Sequence, residues 1–227
     1  MLKKTEGIVF NYIKYRETSI ITKIFTRELG YKTYLVNGVR SAKSKTKMAH
    51  FQPLTLLDLV VYEKENANIN RISEAKLAKA FHHIPFDFFR SGISMLMVEV
   101  LGKVIYENYL NQQLFDYLSK SIVYLDSETC EPANFILVFL IGTSSFLGFE
   151  PENAENFYLQ LPHGQPGEHI RKKVKYLDVL IESPLPYQEK IPPAIRRALV
   201  DDWLLFYKIH MESFGEIKSL QVLRNLI

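Results

Sequence analysis

Residues 19–39 have the sequence SIITKIFTRELGYKTYLVNGV, and this stretch decides the fold of the first third of the chain. Residues 19–26 are rich in β-branched and aromatic side chains, which is typical of a strand. Gly30 predicts a turn, and residues 31–39 predict a further strand that ends at Asn37 and Gly38. The stretch therefore predicts two consecutive strands.

Strand patterns continue on both sides of this stretch. Residues 8–13 predict a first strand, residues 54–62 a fourth, and residues 69–75 a weaker fifth. Five short strands in about 75 residues suit a small closed barrel, because closure removes the exposed edges of a sheet. We therefore predict an oligonucleotide-binding (OB) barrel that forms a first domain over residues 1–80.

The pattern beyond residue 80 is helical. Pro85 is predicted to open a helix whose apolar residues recur every three or four positions up to Ile105. Pro and Gly then cluster between residues 148 and 168, which predicts an irregular insertion. Further helices are predicted at residues 114–125, 135–147, 169–180, 192–214 and 216–226. The predicted fold class is α+β, with the five-stranded OB barrel followed by an all-α second domain over residues 81–227.

Composition limits the cellular setting. Cys130 is the one cysteine of the 227 residues, so the chain has no internal disulfide and no cysteine-rich metal site. The first residues are polar and charged, and no apolar stretch is long enough to span a bilayer. We expect a cytoplasmic protein with no membrane association.

Charge is unevenly distributed along the chain. Residues 1–80 carry 15 Lys and Arg against 7 Asp and Glu, a net charge of +8. The rest of the chain carries 13 against 18, a net charge of −5. Such a division predicts that the first domain meets a polyanion, while the second packs or meets protein partners.

A basic loop lies between the third and fourth predicted strands. Its cations are interleaved with small polar residues and no acid: Arg40, Lys43, Lys45 and Lys47. Such a loop favours phosphates without regard to base sequence, and its affinity is expected to fall steeply with salt. In the setting of an OB barrel, the loop predicts nucleic-acid binding.

Aromatic residues and further cations share the barrel segment. Exposed rings beside cations suit single strands, because every base offers a face for stacking. Strand parity places Tyr31 and Tyr34 on opposite faces, so some of the rings belong to the core. Tyr12, Tyr15 and Tyr31 are the preferred stacking candidates, and the accompanying cations are Lys14, Arg16, Lys23, Arg27 and Lys32.

Enzyme motifs are missing from the sequence. His82 and His83 are adjacent and the other histidines are scattered, and there is no Walker loop and no nucleophile elbow. We therefore expect a binding protein and not an enzyme. An OB-fold RNA-binding factor, which would share the barrel, the basic loop and the aromatic residues, stays open as an alternative, and a metal-dependent nuclease is a third hypothesis.

Six segments of the barrel resemble, in order, the RecO family of bacterial recombination mediators. They are residues 6–9, 15–20, 24–30, 36–44, 51–54 and 72–75. Residues 134–151, which end in Phe146-Leu147-Gly148-Phe149-Glu150-Pro151, are similar to the family's helix that leads into a zinc-binding insertion. The similarity covers nearly the whole chain and is strongest in the first third.

The resemblance implies a DNA-binding function. Proteins of this kind bind single- and double-stranded DNA, anneal complementary strands, and with RecR help RecA to displace single-strand-binding protein (SSB). None of these activities needs a nucleotide cofactor, so no cofactor is expected. The resemblance also implies a bacterial cytoplasmic protein that associates with the nucleoid.

The chain departs from the family at the insertion. Many members carry four cysteines there for a closed zinc site, whereas residues 148–166 contain none. The remaining donors are too few and badly spaced, namely Glu150, Glu152, Glu155, His163 and His169. We predict no structural zinc, and we expect packing of Phe149, Phe157, Tyr158 and Leu159 to hold the insertion.

A protein partner is implied for the helical domain. The family docks the acidic, hydrophobic-ended tail of SSB there, which requires an apolar pocket rimmed by Lys or Arg. Two groups are candidates: Arg171, Lys172, Lys173 and Lys175, or Arg196 and Arg197. The sequence leaves the choice between them open.

Overall fold

The computed structural model describes residues 1–41, 47–64, 67–162, 168–182 and 190–224, without the side chains of Glu168 and His169. Its strands are β1 (Leu2–Tyr15), β2 (Ser19–Thr26), β3 (Gly30–Val36), β4 (Leu56–Tyr62) and β5 (Asn70–Leu77). A 3₁₀ turn spans Met48–Phe51, between β3 and β4. The helices are α1 (Phe88–Val104), α2 (Gln112–Leu125), α3 (Pro132–Leu147), α4 (Ala154–Leu159), α5 (Glu168–Glu182), α6 (Pro193–His210) and α7 (Ser219–Arg224).

The strands form a closed barrel in the order β1-β2-β3-β5-β4, which confirms the predicted OB architecture. Strand β1 closes the barrel because it is long enough for two neighbours: residues 2–8 pair with β4, and residues 7–15 pair with β2. A register shift between Val9 and Asn11 bends the strand between these partners. The predicted first strand was too short. The first residues of β1 include charged side chains and do not look like a strand, but they pair with β4 through the backbone.

Strand β3 ends earlier than predicted. It stops at Val36 because Gly38 turns the chain with a left-handed φ of 67°. Val39 is no longer in the strand and packs into the barrel core, where it is 3% exposed. The 3₁₀ turn adds Phe51, which is fully buried in the same core.

One outer face of the barrel is buried against the helical domain. Phe10 and Tyr31 lie on this face with ring centroids 4.9 Å apart, and Phe25 lies 5.9 Å from Phe115 of α2. These barrel residues belong to one continuous apolar core with the helices. The barrel and the helical domain are therefore joined by an apolar interface that contains packed aromatic side chains.

Polar contacts fix the orientation of this interface. The Arg27 guanidinium donates from Nε and Nη2 to the two carboxylate oxygens of Asp116 on α2, at 2.8 and 3.1 Å. The Tyr31 backbone pairs with the segment after α1, donating to Tyr109 O and accepting from Asn108 N. Gly30 permits this approach, because a Cβ there would lie 2.5 Å from Tyr109 O.

The connection between the domains is held by a single carboxylate. Asp126, just after α2, accepts hydrogen bonds from the backbone N–H groups of His82, His83 and Ile84 at 2.8–2.9 Å. Burial alone would raise the pKa of Asp126, but the three hydrogen bonds outweigh burial and lower it. The linker that follows the barrel is thereby tied to the end of α2.

Helix α3 is the centre of the helical domain. Residues 134–144 are all buried, and α1, α2, α5 and α6 pack around them. Helix α1 begins at Phe88 and not at Pro85, because the Asp87 carboxylate caps its first N–H groups. No helix in the described part of the chain is long and apolar enough to cross a membrane.

The insertion after α3 is more regular than predicted. It contains helix α4, which starts where the Asn153 side chain accepts from Asn156 N at 2.8 Å. Phe149 packs against the core, and Phe157 and Tyr158 are buried within it, as predicted. Leu159 was predicted to pack as well, but it is 68% exposed, because it falls on the outer side of the short helix.

An ion pair and a hydroxyl fasten the insertion to α5 and α6. Tyr158 Oη donates to the Asp202 carboxylate at 3.0 Å, and Lys173 is paired with the same carboxylate. Lys173 also lies 5.1 Å from the centroid of the Tyr158 ring. Within the described residues, no group of three or more His, Cys, Asp or Glu side chains could hold a metal ion; His163 and the His169 side chain lie outside them.

Replacing Asp126 with Ala is expected to lower the free energy of unfolding by about 2–3 kcal/mol at neutral pH, because three backbone N–H groups lose a charged acceptor. Chemical unfolding followed by Trp203 fluorescence measures the change. Because folding lowers the pKa of Asp126, the wild-type advantage is complete above the ordinary value of 3.8 and shrinks as the pH falls through the folded value. Glu128→Ala, an exposed carboxylate nearby, should change stability by less than about 0.5 kcal/mol. Equal losses in both variants would contradict the role of Asp126.

Replacing Tyr158 with Phe is expected to cost about 1–2 kcal/mol of stability, because Asp202 loses a buried hydroxyl donor while the ring packing is kept. Thermal unfolding monitored by circular dichroism measures the loss. Tyr106→Phe serves as the control, since the Tyr106 side chain is 69% exposed and should lose nothing. An unchanged Tyr158→Phe melting temperature would show that apolar packing alone holds the insertion.

Candidate nucleic-acid interface

The outer surface of the barrel has three parts, which differ in what covers them and in their charge. The part that carries Phe10, Phe25 and Tyr31 is covered by the helical domain. A second part is acidic, since Glu6 and Asp58 are cross-strand neighbours and Glu74 lies close by on β5. A third part is exposed or half-exposed to solvent and carries one of the predicted DNA-binding cations, Lys23.

This third part lies on β1, β2 and β3, at the edge of the helical domain. Thr33 marks that edge, because it donates from its backbone N and from Oγ1 to the Glu107 carboxylate at 3.1 and 3.4 Å. The strand register places Asn11, Lys23 and Thr33 in one cross-strand row. The next row consists of apolar side chains that are exposed or half-buried, with Ile13 63% exposed. We call this surface the open face and define it by Asn11, Ile13, Ile21, Lys23, Thr33 and Leu35.

Lys23 is the cation at the centre of the open face. Its side chain is exposed, and no carboxylate among the described residues pairs with it. The ammonium group lies 5.8 Å from the centroid of the Tyr31 ring, which marks the edge of the helical interface. Lys23 is therefore free to meet a phosphate at the point where the covered surface ends.

The turn between β1 and β2 gathers a second group, which we call the hairpin cluster: Tyr15, Arg16 and Arg40. The Arg16 guanidinium lies 5.2 Å from the centroid of the half-buried Tyr15 ring. Arg40 donates from its side chain to Arg16 O at 3.1 Å and from its backbone to Thr18 O at 2.9 Å. Both cations are exposed, so the cluster offers two guanidinium groups beside an aromatic ring.

Tyr12 and Lys14 point to the other side of β1. Their cross-strand partners are Thr22 and Ile20, which face the barrel interior. Tyr12 is half-buried against the barrel core, whereas Lys14 is exposed near the end of the strand. Lys14 stays a candidate cation, but Tyr12 presents only part of its ring.

Three predicted contact residues have structural roles instead. Tyr31 is 4% exposed, and burial together with nearby Glu107 raises its pKa to about 12, so the prediction of an exposed ring is wrong. Arg27 is engaged by Asp116, and the pKa of that carboxyl is lowered by the hydrogen bond. Lys32 is paired with Glu63 at 2.6 Å and is mostly buried. A DNA contact by Arg27 or Lys32 stays a prediction, since either cation would first have to leave its carboxylate partner.

The basic loop is described only at its two ends. Arg40 and Lys47 are both exposed. Lys43 and Lys45 lie outside the described residues, so their predicted role stays a prediction. Since Arg40 belongs to the hairpin cluster, the loop departs from the same end of the barrel as the β1–β2 turn.

The acidic part of the barrel sets a boundary for a bound polyanion. Glu6, Glu28, Asp58 and Glu74 surround a shallow depression there, accompanied by Lys4 and Lys76. Phosphates are repelled by such a surface. The charge of the barrel is therefore distributed unevenly over its surface, which its net charge does not reveal.

Comparison with known proteins decides the family. The family model described as "Recombination protein O N terminal" matches residues 1–81, and "Recombination protein O C terminal" matches residues 85–155. The chain belongs to the RecO family. Similar proteins include the DNA repair protein RecO of Flavobacterium psychrophilum, 32% identical with 98% of each chain covered, and that of Bacteroides fragilis, 33% identical over 100% of this chain and 99% of the relative. The RecO of Phocaeicola vulgatus is 41% identical over 69% of this chain and 65% of its own.

In this RecO family member, the cations predicted for partner binding separate into different surroundings. Lys173 is 8% exposed and paired with Asp202, so the prediction that it is free to bind a partner is wrong. Arg171, Lys172 and Lys175 are exposed on α5. Arg196 and Arg197 instead line an apolar pocket between α3, α6 and α7.

This pocket has apolar walls and a cationic rim. Ile136, Val200 and Leu223 are among its lining residues, and Arg196, Arg197 and Arg224 accompany them. Arg196 is held by a hydrogen bond to Ile191 O at 3.2 Å, and burial lowers its pKa. Arg224 is paired with Asp201, whereas Arg197 is exposed. Of the two predicted groups, Arg196 and Arg197 lie beside apolar side chains, but the free space there is only about 20 Å³. Their role in partner binding stays a prediction.

Arg71 of this RecO family member was not among the residues predicted to bind DNA. It is exposed on β5 and is the cross-strand neighbour of Leu35 on the open face. Only the closure of the barrel places β5 beside β3, and no local sequence pattern reports that neighbourhood. The β-strand alternation around residues 69–75 was the one available signal, because it places Arg71 outward.

Proposed function

We propose that this protein binds single-stranded DNA on the open face and the hairpin cluster. The observation that supports the proposal is a set of exposed cations, Lys14, Arg16, Lys23 and Arg40, for which the described residues supply no carboxylate partner. Phosphate binding at such groups releases counterions and needs no particular base sequence. Membership of the RecO family of DNA repair proteins favours DNA as the polyanion.

The open face suits a single strand better than a folded protein partner. Its cation, Lys23, lies beside apolar side chains, and the hairpin cluster adds two guanidinium groups and a half-buried tyrosine, so phosphates and base faces each find a complementary group. Double-stranded DNA presents phosphates too, and we propose that it binds more weakly at the same cations. A strand bound here would be read by charge and stacking, with little preference for sequence.

We propose further that the protein anneals complementary strands and, with RecR, promotes loading of RecA on DNA covered by SSB. Annealing requires that the repulsion between two phosphate backbones be reduced, and a surface of unpaired cations reduces it. None of these steps requires a covalent change in a substrate. The proposed protein is therefore a mediator without enzymatic activity or cofactor.

Replacing Lys23 with Ala is expected to weaken binding to single-stranded DNA by up to about tenfold and to flatten the salt dependence by about 0.7 in log–log slope, because one phosphate contact is lost. Fluorescence anisotropy of a labelled oligonucleotide at several salt concentrations measures both. Lys76→Ala is the matched control, since Lys76 is an exposed lysine of the same barrel beside Asp58. Equal effects of the two substitutions would mean that net charge, and not the open face, governs binding.

The same titration distinguishes DNA binding from the alternative functions. Addition of the complementary strand should speed annealing with wild-type protein and less so with Lys23→Ala. Competition with RNA of equal length tests the RNA-binding alternative, and a strong preference for RNA would overturn the proposal. Absence of binding even at low salt would leave the barrel as a surface for protein partners.

For the partner, we propose that the pocket between α3, α6 and α7 receives the C-terminal tail of SSB. An acidic segment with a hydrophobic end needs an apolar recess for the end and cations for the carboxylates. Val200 and Leu223 lie beside Arg197, so both kinds of group are present, but the space between them is only about 20 Å³. A hydrophobic side chain of the tail could therefore enter only if α7 moved away from α3 and α6. The exposed cations of α5 do not line this pocket.

A tail peptide labelled at its N-terminus is expected to bind wild-type protein and to bind Arg197→Ala at least about fivefold more weakly, because a charge-assisted contact is lost. Arg171→Ala is the matched control, since it removes an exposed arginine from α5 and should leave affinity unchanged. Loss of affinity in Arg171→Ala alone would assign the tail to α5 instead. An amidated peptide tests whether the terminal carboxylate is recognised.

A further inference from the structure

A continuous row of outward side chains crosses the barrel beyond the open face. Starting from Ile13 of β1, the cross-strand partners are Ile21 of β2, then Leu35 of β3, Arg71 of β5 and Tyr62 of β4. All five are exposed or half-exposed, and Tyr62 is 49% exposed. At about 4.8 Å per strand, the row spans about 19 Å.

Arg71 is held in a fixed orientation within this row. The side-chain amide of Asn37 makes the most hydrogen bonds when its oxygen faces Arg71. The oxygen then accepts from Arg71 Nε at 3.1 Å and from Nη2 at 3.0 Å, and the nitrogen donates to Ser19 Oγ at 3.3 Å. In the opposite orientation, the amide would accept from Ser19 alone. The plane of the guanidinium is thereby fixed by a neutral partner, so its positive charge is not cancelled. A planar, pre-organised guanidinium both stacks on bases and binds phosphates.

Glu63, an acid close to this row, is neutralised by ion pairs. Glu63 follows Tyr62 directly, but Lys3 and Lys32 are both paired with its carboxylate. The hydrogen bonds from Lys3 and Lys32 lower the pKa of Glu63, and the side chain is 15% exposed. Lys64, the next residue, is exposed and adds a cation. The acidic part of the barrel, with Asp58 and Glu74, begins further along β4 and β5.

We propose that a single strand bound on the open face continues across β5 and β4, where Arg71 contacts a phosphate or stacks on a base and the Tyr62 ring stacks on the next base. The inference rests on the proposed function and extends it to a second contact surface, formed by Arg71 and Tyr62. A bound strand thus runs across all five strands of the barrel, from the hairpin cluster towards Tyr62. The ligand is single-stranded DNA long enough to reach this surface.

The test compares binding of a short and a long oligothymidylate, of about 5 and about 15 nucleotides, which lie near the two ends of the range of OB-fold site sizes. Fluorescence anisotropy is measured with wild type, Arg71→Ala, Tyr62→Ala and Lys76→Ala. The last is the matched control, because Lys76 is an exposed cation of β5 that lies on the acidic part of the barrel. Thermal unfolding confirms that each variant is folded.

Arg71→Ala and Tyr62→Ala are each expected to weaken binding of the long oligonucleotide by about fivefold or more, the loss that one stacked base accounts for. Binding of the short oligonucleotide should change much less, and Lys76→Ala should bind both as wild type does. If Arg71→Ala is unfolded through loss of the Asn37 contact, Tyr62→Ala decides the question alone. Wild-type affinity for the long oligonucleotide in every folded variant overturns this inference while leaving the proposed function intact. Failure of wild-type protein to bind either oligonucleotide overturns both.

Discussion

The packing of Phe10, Phe25 and Tyr31 against the helical domain is the contact on which the rest of the structure depends. It buries the part of the β1–β2–β3 surface nearest to Gly30 and removes three aromatic rings from contact with any ligand. Because aromatic side chains bury large areas and pack in defined orientations, this interface fixes the barrel relative to the helices. What remains uncovered is the open face, so the interface also determines where a strand can bind.

Ion pairing then divides the cations of the barrel into two classes. Arg27 and Lys32 meet Asp116 and Glu63, and their charges are neutralised within the protein. Lys23, Arg16 and Arg40 meet no carboxylate among the described residues, so their charges are available to a polyanion. In the proposed function, affinity for phosphates depends on this second class, because a paired cation must first lose its partner. For phosphate binding, the positions of the unpaired cations are thus more important than the net positive charge of the first domain.

The insertion after α3 contains no cysteine and is fastened by packing and polar contacts. Phe157 and Tyr158 fill the space between α4 and α6, with Phe157 4.7 Å from Trp203 between ring centroids. Asp202 then receives both the Tyr158 hydroxyl and Lys173. A buried carboxylate that is left without partners is costly, so this arrangement favours one position for the insertion over others. Aromatic packing thus specifies where the insertion lies, and the contacts of Asp202 specify how the insertion is oriented.

The sequence by itself determined the five strands, the change to helices after the barrel, and the identity of the cations, because alternation, helical periodicity and residue type are local properties. It also placed Tyr31 and Tyr34 on opposite faces of β3, and it anticipated that Phe157 and Tyr158 would be buried. It did not determine that a helical segment covers Tyr31, that Arg27 meets a carboxylate 89 residues away, or that Arg71 lies beside Leu35. Those facts depend on barrel closure and on the docking of the two domains, which bring together residues that are distant in the chain. Strand parity states which way a side chain points, whereas only tertiary packing decides whether it meets solvent, an acid or another ring.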